Sequence, residues 1–310
     1  SIPNLHRQRP FEVFHAIWAV SPGVVALAAA RLCRRPVLVH IAGGELVSMP
    51  HIAFGSARGS WRMLTKLIIG SADRVTAASG HIIRLAQVAG AEPLRVPLGV
   101  ATDHWTPSPP RQRALDRPAR LVQVASLTPV KGHVTLLKAM AQLVAEGRNV
   151  RLGLVGEDAC QGAIQRSAAE LGLTSHVTFH GFLRQREVMP VVRAADLMVV
   201  SSHHEAGPVA LLEAAAVGVP TVGTDVGHVR DFAPDAAVAV EVGNPVALAR
   251  EIAGLLDDEP RRLALATRAH QWALREDADW TCARFEELYA EVLASRAPRP
   301  RLADAGSLRR

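Results

Sequence analysis

The sequence is poor in aromatic residues and in cysteine. Aromatic residues make up 4% of its 310 residues, so it has few of the flat rings on which nucleic-acid-binding proteins stack bases. The three cysteines, Cys33, Cys160 and Cys282, are isolated and odd in number. This pattern favours small buried side chains in a reducing compartment over a disulfide framework or a zinc site.

The sequence also lacks long apolar runs. No run approaches the ~18 residues that a membrane-spanning helix needs. The N-terminus does not show the basic and then apolar layout of a signal peptide. We therefore expect a soluble enzyme of the cytoplasm, either free or at the inner face of the membrane.

The net charge is positive, but much of it lies at one end. The formal charge is +6 and the isoelectric point is near 10, values that would ordinarily suggest a nucleic-acid or anionic partner. Residues 296–310 hold five arginines against one carboxylate, Asp304, and thus +4 of that charge. Their composition predicts a disordered basic tail. The remainder is nearly balanced, so no nucleic-acid partner is expected.

Residues 119–278 show the pattern of a complete α/β domain. Short β-branched apolar runs alternate there with amphipathic stretches, which is typical of a doubly wound parallel sheet. The six predicted strands are Leu121–Ala125, Arg151–Val155, Val177–Phe179, Leu197–Val200, Thr221–Gly223 and Ala237–Val240. Three helices are predicted at the end, Pro245–Leu256, Pro260–Arg275 and Asp279–Leu293.

Residues 1–105 predict a second, shorter Rossmann-like domain. Its strands are predicted at Phe11–Ala16, Val37–Ala42, Arg74–Ala77 and Arg95–Pro97, with helices at Pro22–Cys33 and Ser60–Ile69. No glycine-rich turn follows the first strand, although a doubly wound half usually begins with one. The domain is therefore predicted to be incomplete. Residues 106–118, with four prolines and three arginines, predict a linker.

The segment Ser201–Asp231 is the best candidate for a binding site, because it follows a parallel strand, where α/β proteins bind ligands. Gly207 is suited to close approach of the backbone to a ligand, and Pro208 to the first turn of a helix. The amides of Gly207, Val209 and Ala210 would then face a diphosphate at the helix N-terminus.

Two carboxylates bracket this helix start. Glu205 precedes it and would repel phosphate unless it faces another group, such as sugar hydroxyls. Glu213 lies about one turn into the helix, where it can accept two hydrogen bonds from a ribose diol. Each carboxylate alone is equally consistent with ordinary helix capping and dipole complementation.

The sequence HEAGPVALLEAAAVGVPTVGT at 204–224 resembles the signature of the retaining GT-B glycosyltransferases of family four. The resemblance implies two Rossmann-like domains. It also implies that Glu205 contacts the transferred sugar, that the following amides hold the diphosphate and that Glu213 holds the ribose. A last helix at 279–295 would cross back to the first domain.

Other segments extend the resemblance. VASLTPVKGHVTLLKAM at 124–140 is similar to the opening of the family's donor domain, in which Lys131 would neutralise the diphosphate. LVGEDA at 154–159, with Gly156, resembles its Gly-Glu turn, and VTFHGFL at 177–183, with Gly181, its nucleotide-base loop. Read without the resemblance, Lys131 is equally a solvated surface charge.

The chain departs from the family's pattern at two positions. Family members commonly have an arginine five positions before the lysine, and here that position is Ser126. The family's His-x-His motif becomes His15-Ala16-Ile17, so either His15 serves alone at the sugar or it caps a strand end. Gly43-Gly44-Glu45 is either an acceptor-side contact or a turn.

We expect no metal and no cofactor, because the side chains of His203 and His204 cannot share one face and no further ligand cluster is evident. Residues 58–69 predict a helix with Arg58, Arg62 and Lys66 along one side. It either rests on a membrane that holds a lipid-linked acceptor or packs on its sheet as an ordinary helix.

The leading hypothesis is transfer of a hexose-type sugar from a nucleotide-diphosphate-sugar to the hydroxyl of a sugar, a lipid-linked sugar or a small molecule, with retained configuration. The catalytic candidates are Glu205, Lys131 and His15, and the donor-binding candidates are Ser126, Gly156, Gly181, Gly207, Pro208, Val209, Ala210 and Glu213. The alternatives are a non-catalytic sugar-nucleotide-binding regulatory or scaffold protein, and an epimerase or phosphorylase on the same fold.

Overall fold

The computed structural model describes residues 2–56 and 58–296, which form two parallel sheets wrapped by helices. The N-terminal sheet contains β1 (Phe14–Ile17), β2 (Val37–Ile41), β3 (Arg74–Ala77) and β4 (Leu94–Arg95), in spatial order β1-β2-β3-β4. Its helices are α1 (Ile2–Gln8), α2 (Ser21–Cys33), α3 (Gly59–Ser71) and α4 (Gly80–Val88).

The C-terminal sheet has six strands in the order β10-β9-β8-β5-β6-β7. They are β5 (Ala119–Val124), β6 (Val150–Val155), β7 (Val177–Gly181), β8 (Leu197–Val200), β9 (Thr221–Thr224) and β10 (Ala237–Val240). The helices are α5 (His133–Ala145), α6 (Ala163–Glu170), α7 (Gln185–Arg193), α8 (Val209–Ala216), α9 (Gly227–Phe232), α10 (Pro245–Asp257), α11 (Glu259–Arg275) and α12 (Ala278–Arg296).

All neighbouring strands run parallel. Strands β2, β8 and β9 are buried along their whole length, as expected for apolar runs that are covered by helices on both faces. The predicted α/β class with two Rossmann-like domains is therefore confirmed.

The predicted bounds of two strands were wrong. Strand β1 begins at Phe14 and not at Phe11, whose ring packs between His6 and Phe14 and so joins α1 to the strand. Strand β4 ends at Arg95; Val96 N still donates to Ala77 O at 2.9 Å, but Pro97 has no N–H with which to continue the ladder.

The last helix packs on the N-terminal sheet. Phe285 and Leu288 of α12 share a small apolar cluster with Leu38 and Val96, and the Thr281 hydroxyl donates to the Pro97 carbonyl at 2.8 Å. Helices α2, α3 and α4 cover the other face of this sheet. The predicted tail, 296–310, lies outside the described residues except for the backbone of Arg296, which ends α12.

Residues 106–118 contain neither helix nor strand and run along the C-terminal unit. Arg117 binds the buried Asp196 with both guanidinium nitrogens, at 2.8 and 2.9 Å. Burial raises the pKa of Asp196, but the hydrogen bonds from Arg117 and the Arg120 amide, together with the charges of Arg117 and Arg111, hold it below its usual value. Within the part of the chain that the structure describes, no helix is long and apolar enough to cross a bilayer.

Candidate functional site

The loop between β8 and α8 forms one wall of a pocket at the carboxyl end of the C-terminal sheet. The pocket has a volume of about 190 Å³. Lys131 and Glu205 lie in its wall, together with the start of α8 at Pro208, Val209 and Ala210. The structure therefore brings five of the predicted site residues together.

Lys131 and Glu205 form an ion pair in this pocket. The Lys131 Nζ atom lies 2.7 Å from Glu205 Oε1, and the Ser202 hydroxyl donates to the same oxygen at 2.6 Å. The Lys131 side chain is 28% exposed and the Glu205 side chain 11% exposed. Each of these partly buried charges therefore has an opposite charge as its hydrogen-bond partner. A diphosphate that enters the pocket would meet a lysine already aimed into it and would compete with Glu205 for that lysine.

The backbone of Lys131 is fixed by residues that the sequence analysis missed. The Gln123 amide donates to the Lys131 carbonyl at 3.1 Å, and the Ser201 hydroxyl donates to Gln123 Oε1 at 2.8 Å. Gly132 has φ +64°, and a Cβ there would overlap the Ser201 carbonyl. The signal was present in the sequence, because Gln123 is a polar residue inside an apolar strand and must find partners when buried.

Helix α8 starts directly after Pro208. Pro208 is the residue before the helix, with φ −66° and ψ 112°, and the helix begins at Val209. Pro208 therefore precedes the first turn instead of occupying it. The amides of Val209 and Ala210 belong to the first turn, whose N–H groups lack intrahelical partners, and both residues line the pocket.

Gly207 packs closely against residues of both units, and its predicted approach to a ligand stays a prediction. A Cβ at this position would lie 2.7 Å from the Ala78 Cβ and 2.8 Å from His228 Nε2. The absence of a side chain at Gly207 thus allows the loop between β8 and α8 to pack on the N-terminal unit. This role was not predicted, because Ala78 is remote in sequence.

Glu213 lies on α8 beyond the wall of the pocket, next to Trp105 and Gln185. Burial raises its pKa to about 7, and the neighbouring Trp105 and Gln185 side chains lower the pKa by smaller amounts. Glu213 is therefore partly protonated near neutral pH. Its role at a ribose stays a prediction.

The three remaining donor-side candidates lie on neighbouring loops at the carboxyl ends of β5, β6 and β7. Ser126 is exposed. Gly156 packs against the Ala125 carbonyl, where a Cβ would overlap it, and the Gly156 N–H donates to the Gly181 carbonyl at 2.9 Å. The contacts bring these loops together, and their binding roles stay predictions.

His15 is not placed with Lys131 and Glu205. Its Nδ1 atom lies 2.8 Å from the Tyr289 hydroxyl of α12, and its ring is 4.7 Å from that of Phe285. Burial lowers the pKa of His15 to about 4, so the imidazole is neutral near pH 7. Its assignment to the transferred sugar stays a prediction.

The segment Gly43-Gly44-Glu45 forms a turn that is fixed by its own carboxylate. The buried Glu45 accepts hydrogen bonds from the amides of Ala19, Ala42 and Gly43, the last at 2.6 Å. His204 Nε2 lies 3.2 Å from the Gly43 carbonyl. Because a carbonyl only accepts, we place the ring proton on Nε2, and this bond connects the turn to the residue before Glu205.

Two further contacts join the N-terminal unit to the C-terminal unit, one at the loop between β8 and α8 and one at α9. The Ser79 hydroxyl donates to the Ala206 carbonyl, and the Gly80 amide donates to Asp231 at 2.8 Å. The loop that carries Glu205 is therefore held by both halves of the molecule. Among residues 2–56 and 58–296, no group of three or more His, Cys, Asp or Glu side chains is arranged to hold a metal ion.

Sequence comparison identifies relatives of this chain. Residues 108–272 match the family described as glycosyl transferases group 1. The D-inositol 3-phosphate glycosyltransferase of Thermobispora bispora is 33% identical over 246 residues, which are 73% of this chain and 58% of the relative. The GDP-mannose-dependent monoacylated alpha-(1-6)-phosphatidylinositol monomannoside mannosyltransferase of Corynebacterium glutamicum is 28% identical over 244 residues, 72% of this chain and 62% of the relative.

Solved structures show the same fold. HepE of Anabaena, in complex with UDP and glucose, superposes with a TM-score of 0.77 at 19% identity, over 94% of this chain and 81% of that chain. Sucrose-phosphate synthase of Thermosynechococcus elongatus gives 0.79 at 20% identity, over 94% and 76%. The family match covers more than half of the chain and includes Lys131, Glu205 and Glu213. The chain therefore belongs to the glycosyl transferases group 1 family and has its GT-B fold.

Proposed function

We propose that the protein transfers a sugar from a nucleotide-diphosphate-sugar to an acceptor hydroxyl and that the anomeric configuration is retained. The observation that carries this proposal is the placement of Lys131 and Glu205 at the N-terminal end of α8, 2.7 Å apart in one pocket. A cation, a helix N-terminus and a carboxylate suit a diphosphate with a hydroxylated sugar attached.

In the proposed reaction, the bond between the anomeric carbon and the diphosphate breaks while the acceptor oxygen bonds to the same face of that carbon. The departing diphosphate oxygen takes the acceptor's proton. Lys131 and the amides of Val209 and Ala210 stabilise the negative charge that develops on this oxygen. Such stabilisation is most effective when the donors are fixed beforehand, as Gln123 and Ser201 fix Lys131.

Binding of the donor would separate Lys131 from Glu205, because each side chain would then contact a different part of the donor. The diphosphate would replace Glu205 as the partner of Lys131, and the Glu205 carboxylate would turn to the sugar hydroxyls. The Ser202 hydroxyl, at 2.6 Å, keeps Glu205 oriented during this exchange. Glu213 would accept hydrogen bonds from the ribose diol in its ionised form. We propose that the reaction needs no metal, so that a chelator leaves the rate unchanged.

The names of the relatives support the class of donor and acceptor. HepE was solved with UDP and glucose, and the Corynebacterium glutamicum relative is named for GDP-mannose and a monoacylated phosphatidylinositol monomannoside. For this chain we propose a nucleotide-diphosphate-sugar donor and a sugar, lipid-linked sugar or small-molecule acceptor. The exposed Trp61, Met63 and Lys66 of α3 support a peripheral membrane contact through residues 58–69.

A panel of UDP-glucose, GDP-mannose and ADP-glucose tests the proposal, with thermal shift and donor hydrolysis as the readouts. One nucleotide sugar should stabilise the protein and be turned over, and Glu205→Ala and Glu213→Ala should weaken both effects. Glu170→Ala, at an exposed position at the end of α6, is the matched control. The site assignment is wrong if neither substitution alters the response to the preferred nucleotide.

A second outcome would favour the non-catalytic alternative. Ser126 stands where family members commonly have an arginine, and one missing charge-assisted contact weakens phosphate binding by about 1.5–3 kcal/mol. Binding of the nucleotide sugar without hydrolysis or transfer, at any acceptor concentration, would identify a sugar-nucleotide-binding protein that is not an enzyme.

A further inference from the structure

The near balance of charge outside the tail conceals a strong asymmetry. Residues 1–71 contain eight Lys and Arg but two carboxylates, whereas residues 72–295 contain 22 Lys and Arg and 26 Asp and Glu. One of those two carboxylates, Glu45, is buried and bound to backbone amides. The whole N-terminal unit, residues 1–105, holds eleven Lys and Arg against five Asp and Glu, so its net charge is positive.

The same unit exposes apolar side chains on α2 and α3. Val25 and Leu32 of α2 are 54% and 74% exposed, and Met63 and Leu67 of α3 are 76% and 59% exposed. Helices that face water normally carry polar residues at such positions. A cluster of exposed aliphatic side chains indicates a surface that meets something other than water.

A groove runs between these two helices. It has a volume of about 310 Å³, and its walls are apolar: Val24, Leu27, Ala28, Leu64, Leu67 and Ile68. At the C-terminal end of α2 it continues into a wider basin of about 430 Å³, with which it shares Leu27, Arg31 and Ser71. Arg31, Arg34 and Arg35 line the basin with one carboxylate, Asp73. An apolar slot thus opens into a cationic basin.

We propose that this groove and basin bind an anionic phospholipid of a bilayer surface. The arginines would bind the phosphate, since a guanidinium presents a planar fork of donors that matches phosphate oxygens. The slot between α2 and α3 would take part of an acyl chain, and Val25, Leu32, Met63 and Leu67 would insert beside it. Attraction between cationic side chains and acidic lipids would orient this face towards the membrane.

The positive charge of the groove and basin disfavours a second copy of this chain as their occupant. A second copy docked through the same face would bring an equally positive surface and would be repelled. An anionic lipid complements both the apolar slot and the cationic basin.

This site rests on the proposed membrane contact through residues 58–69 and extends it to α2, but it does not depend on the transfer reaction. Vesicle flotation measures the binding of the protein to lipid directly. Phosphatidylcholine vesicles are compared with vesicles that contain about one third phosphatidylglycerol. The protein should bind the acidic vesicles at least tenfold more tightly, and added salt should weaken the binding.

Variants locate the contact. Combined Arg31→Gln, Arg34→Gln and Arg35→Gln should weaken binding to acidic vesicles on the order of 100-fold, and Leu67→Asp should weaken it about tenfold or more. The matched control removes three exposed arginines from α10 and α11 by Arg250→Gln, Arg261→Gln and Arg268→Gln. It should change binding less than about threefold. Equal melting temperatures show that the variants fold.

Each contrary outcome overturns a different part. Equal losses in the two triple variants, or unchanged binding in the basin variant, overturn the lipid site. If binding is lost in the combined Arg62→Gln and Lys66→Gln variant but not in the basin variant or in Leu67→Asp, the membrane contact at 58–69 is supported and the lipid site in the groove is overturned. Competition by soluble glycerol phosphate as strong as that by lipid identifies a site for a free phosphate ester. Failure to bind acidic vesicles overturns the site and the membrane contact, whereas the nucleotide panel tests the donor site separately.

Discussion

The two halves of the molecule use their arginines in different ways. In the C-terminal unit, arginines pair with carboxylates: Arg117 with Asp196, Arg148 with Asp257 and Arg262 with Glu259, at 2.8, 2.8 and 2.6 Å. In the N-terminal unit, three arginines line one basin with a single carboxylate. The first arrangement pairs opposite charges within the fold, and the second places three arginines in the basin that we propose binds a phosphate.

The apolar residues show the same contrast. The C-terminal sheet buries its strands under helices on both faces, with two large apolar clusters. The N-terminal helices α2 and α3 pack one side on their sheet and expose valine, leucine and methionine on the other. The C-terminal unit thus buries its apolar side chains around the proposed nucleotide pocket, whereas the N-terminal unit leaves an apolar surface exposed.

The largest expected effect is on the free energy of unfolding, at a glycine of the C-terminal unit. Gly132→Ala should lower the free energy of unfolding by about 3 kcal/mol or more, because the new Cβ would overlap the Ser201 carbonyl at a positive φ. Gly147→Ala is the control, since Gly147 also has a positive φ but nothing lies near its Cβ position, and it should cost about 1 kcal/mol. Equal costs, measured by denaturant unfolding, would mean that Gly132 is not packed as described.

Removal of the pocket lysine should be the next largest effect. Lys131→Ala is expected to weaken binding of the nucleotide sugar by about 10- to 100-fold, because a charge-assisted contact to the diphosphate is lost. Isothermal titration measures this loss. Lys138→Ala, at an exposed position on α5, should leave the affinity unchanged. Similar affinities for the two variants would exclude Lys131 as a diphosphate ligand.

The titration of Glu213 should make donor binding depend on pH. With a pKa of about 7, the ionised form that accepts ribose hydroxyls rises from a small to a large fraction between about pH 6 and about pH 8, and UDP-glucose should bind up to about tenfold more tightly at the higher pH. Glu213→Gln should remove this dependence. An equally steep profile in the variant would assign the titration to another group.

The stability contribution of Glu213 should have the opposite sign. Its pKa in the folded protein lies above that in the unfolded chain, so its contribution is fully present below about pH 4.5 and is lost as the pH rises through about 7. Unfolding of Glu213→Gln and the unaltered protein, compared across this range, measures the difference. A gap between the two that does not change with pH would contradict the assigned pKa.

The smallest expected effect is that of the basin substitutions on binding at the donor pocket. Combined Arg31→Gln, Arg34→Gln and Arg35→Gln should change the affinity for UDP-glucose by less than about twofold, because the basin and the donor pocket share no residue. Titration calorimetry checks this. A large loss would mean that the N-terminal face and the donor pocket are coupled.

Much of the C-terminal half could be predicted from its sequence. The runs Leu197–Val200 and Ala237–Val240 coincide with β8 and β10, because a strand that is buried on both faces is read directly from consecutive apolar residues. Asn244 caps α10 by accepting from the Ala247 amide at 3.0 Å, and asparagine just before a proline is a sequence signal for a helix start. Short elements such as α7, which contains Pro190, were not predicted because proline normally argues against a helix interior.

The remaining features depend on contacts between remote residues. His15 meets Tyr289, which lies 274 positions away, and Gly207 meets Ala78. Neither contact follows from local spacing. The exposed face of α2 was not predicted either, because a run of Val, Ala and Leu reads as a buried helix until its neighbours are known.

The central claim is that a sugar-nucleotide diphosphate binds Lys131 in the pocket at the start of α8. The chain has three lysines, Lys66, Lys131 and Lys138, so nuclear magnetic resonance of protein labelled at its lysine side chains can follow each one. We expect titration with the preferred nucleotide sugar to shift one signal, and we expect this signal to be absent from Lys131→Arg. A shift of the Lys66 or Lys138 signal instead, or no shift at saturation, would contradict the claim.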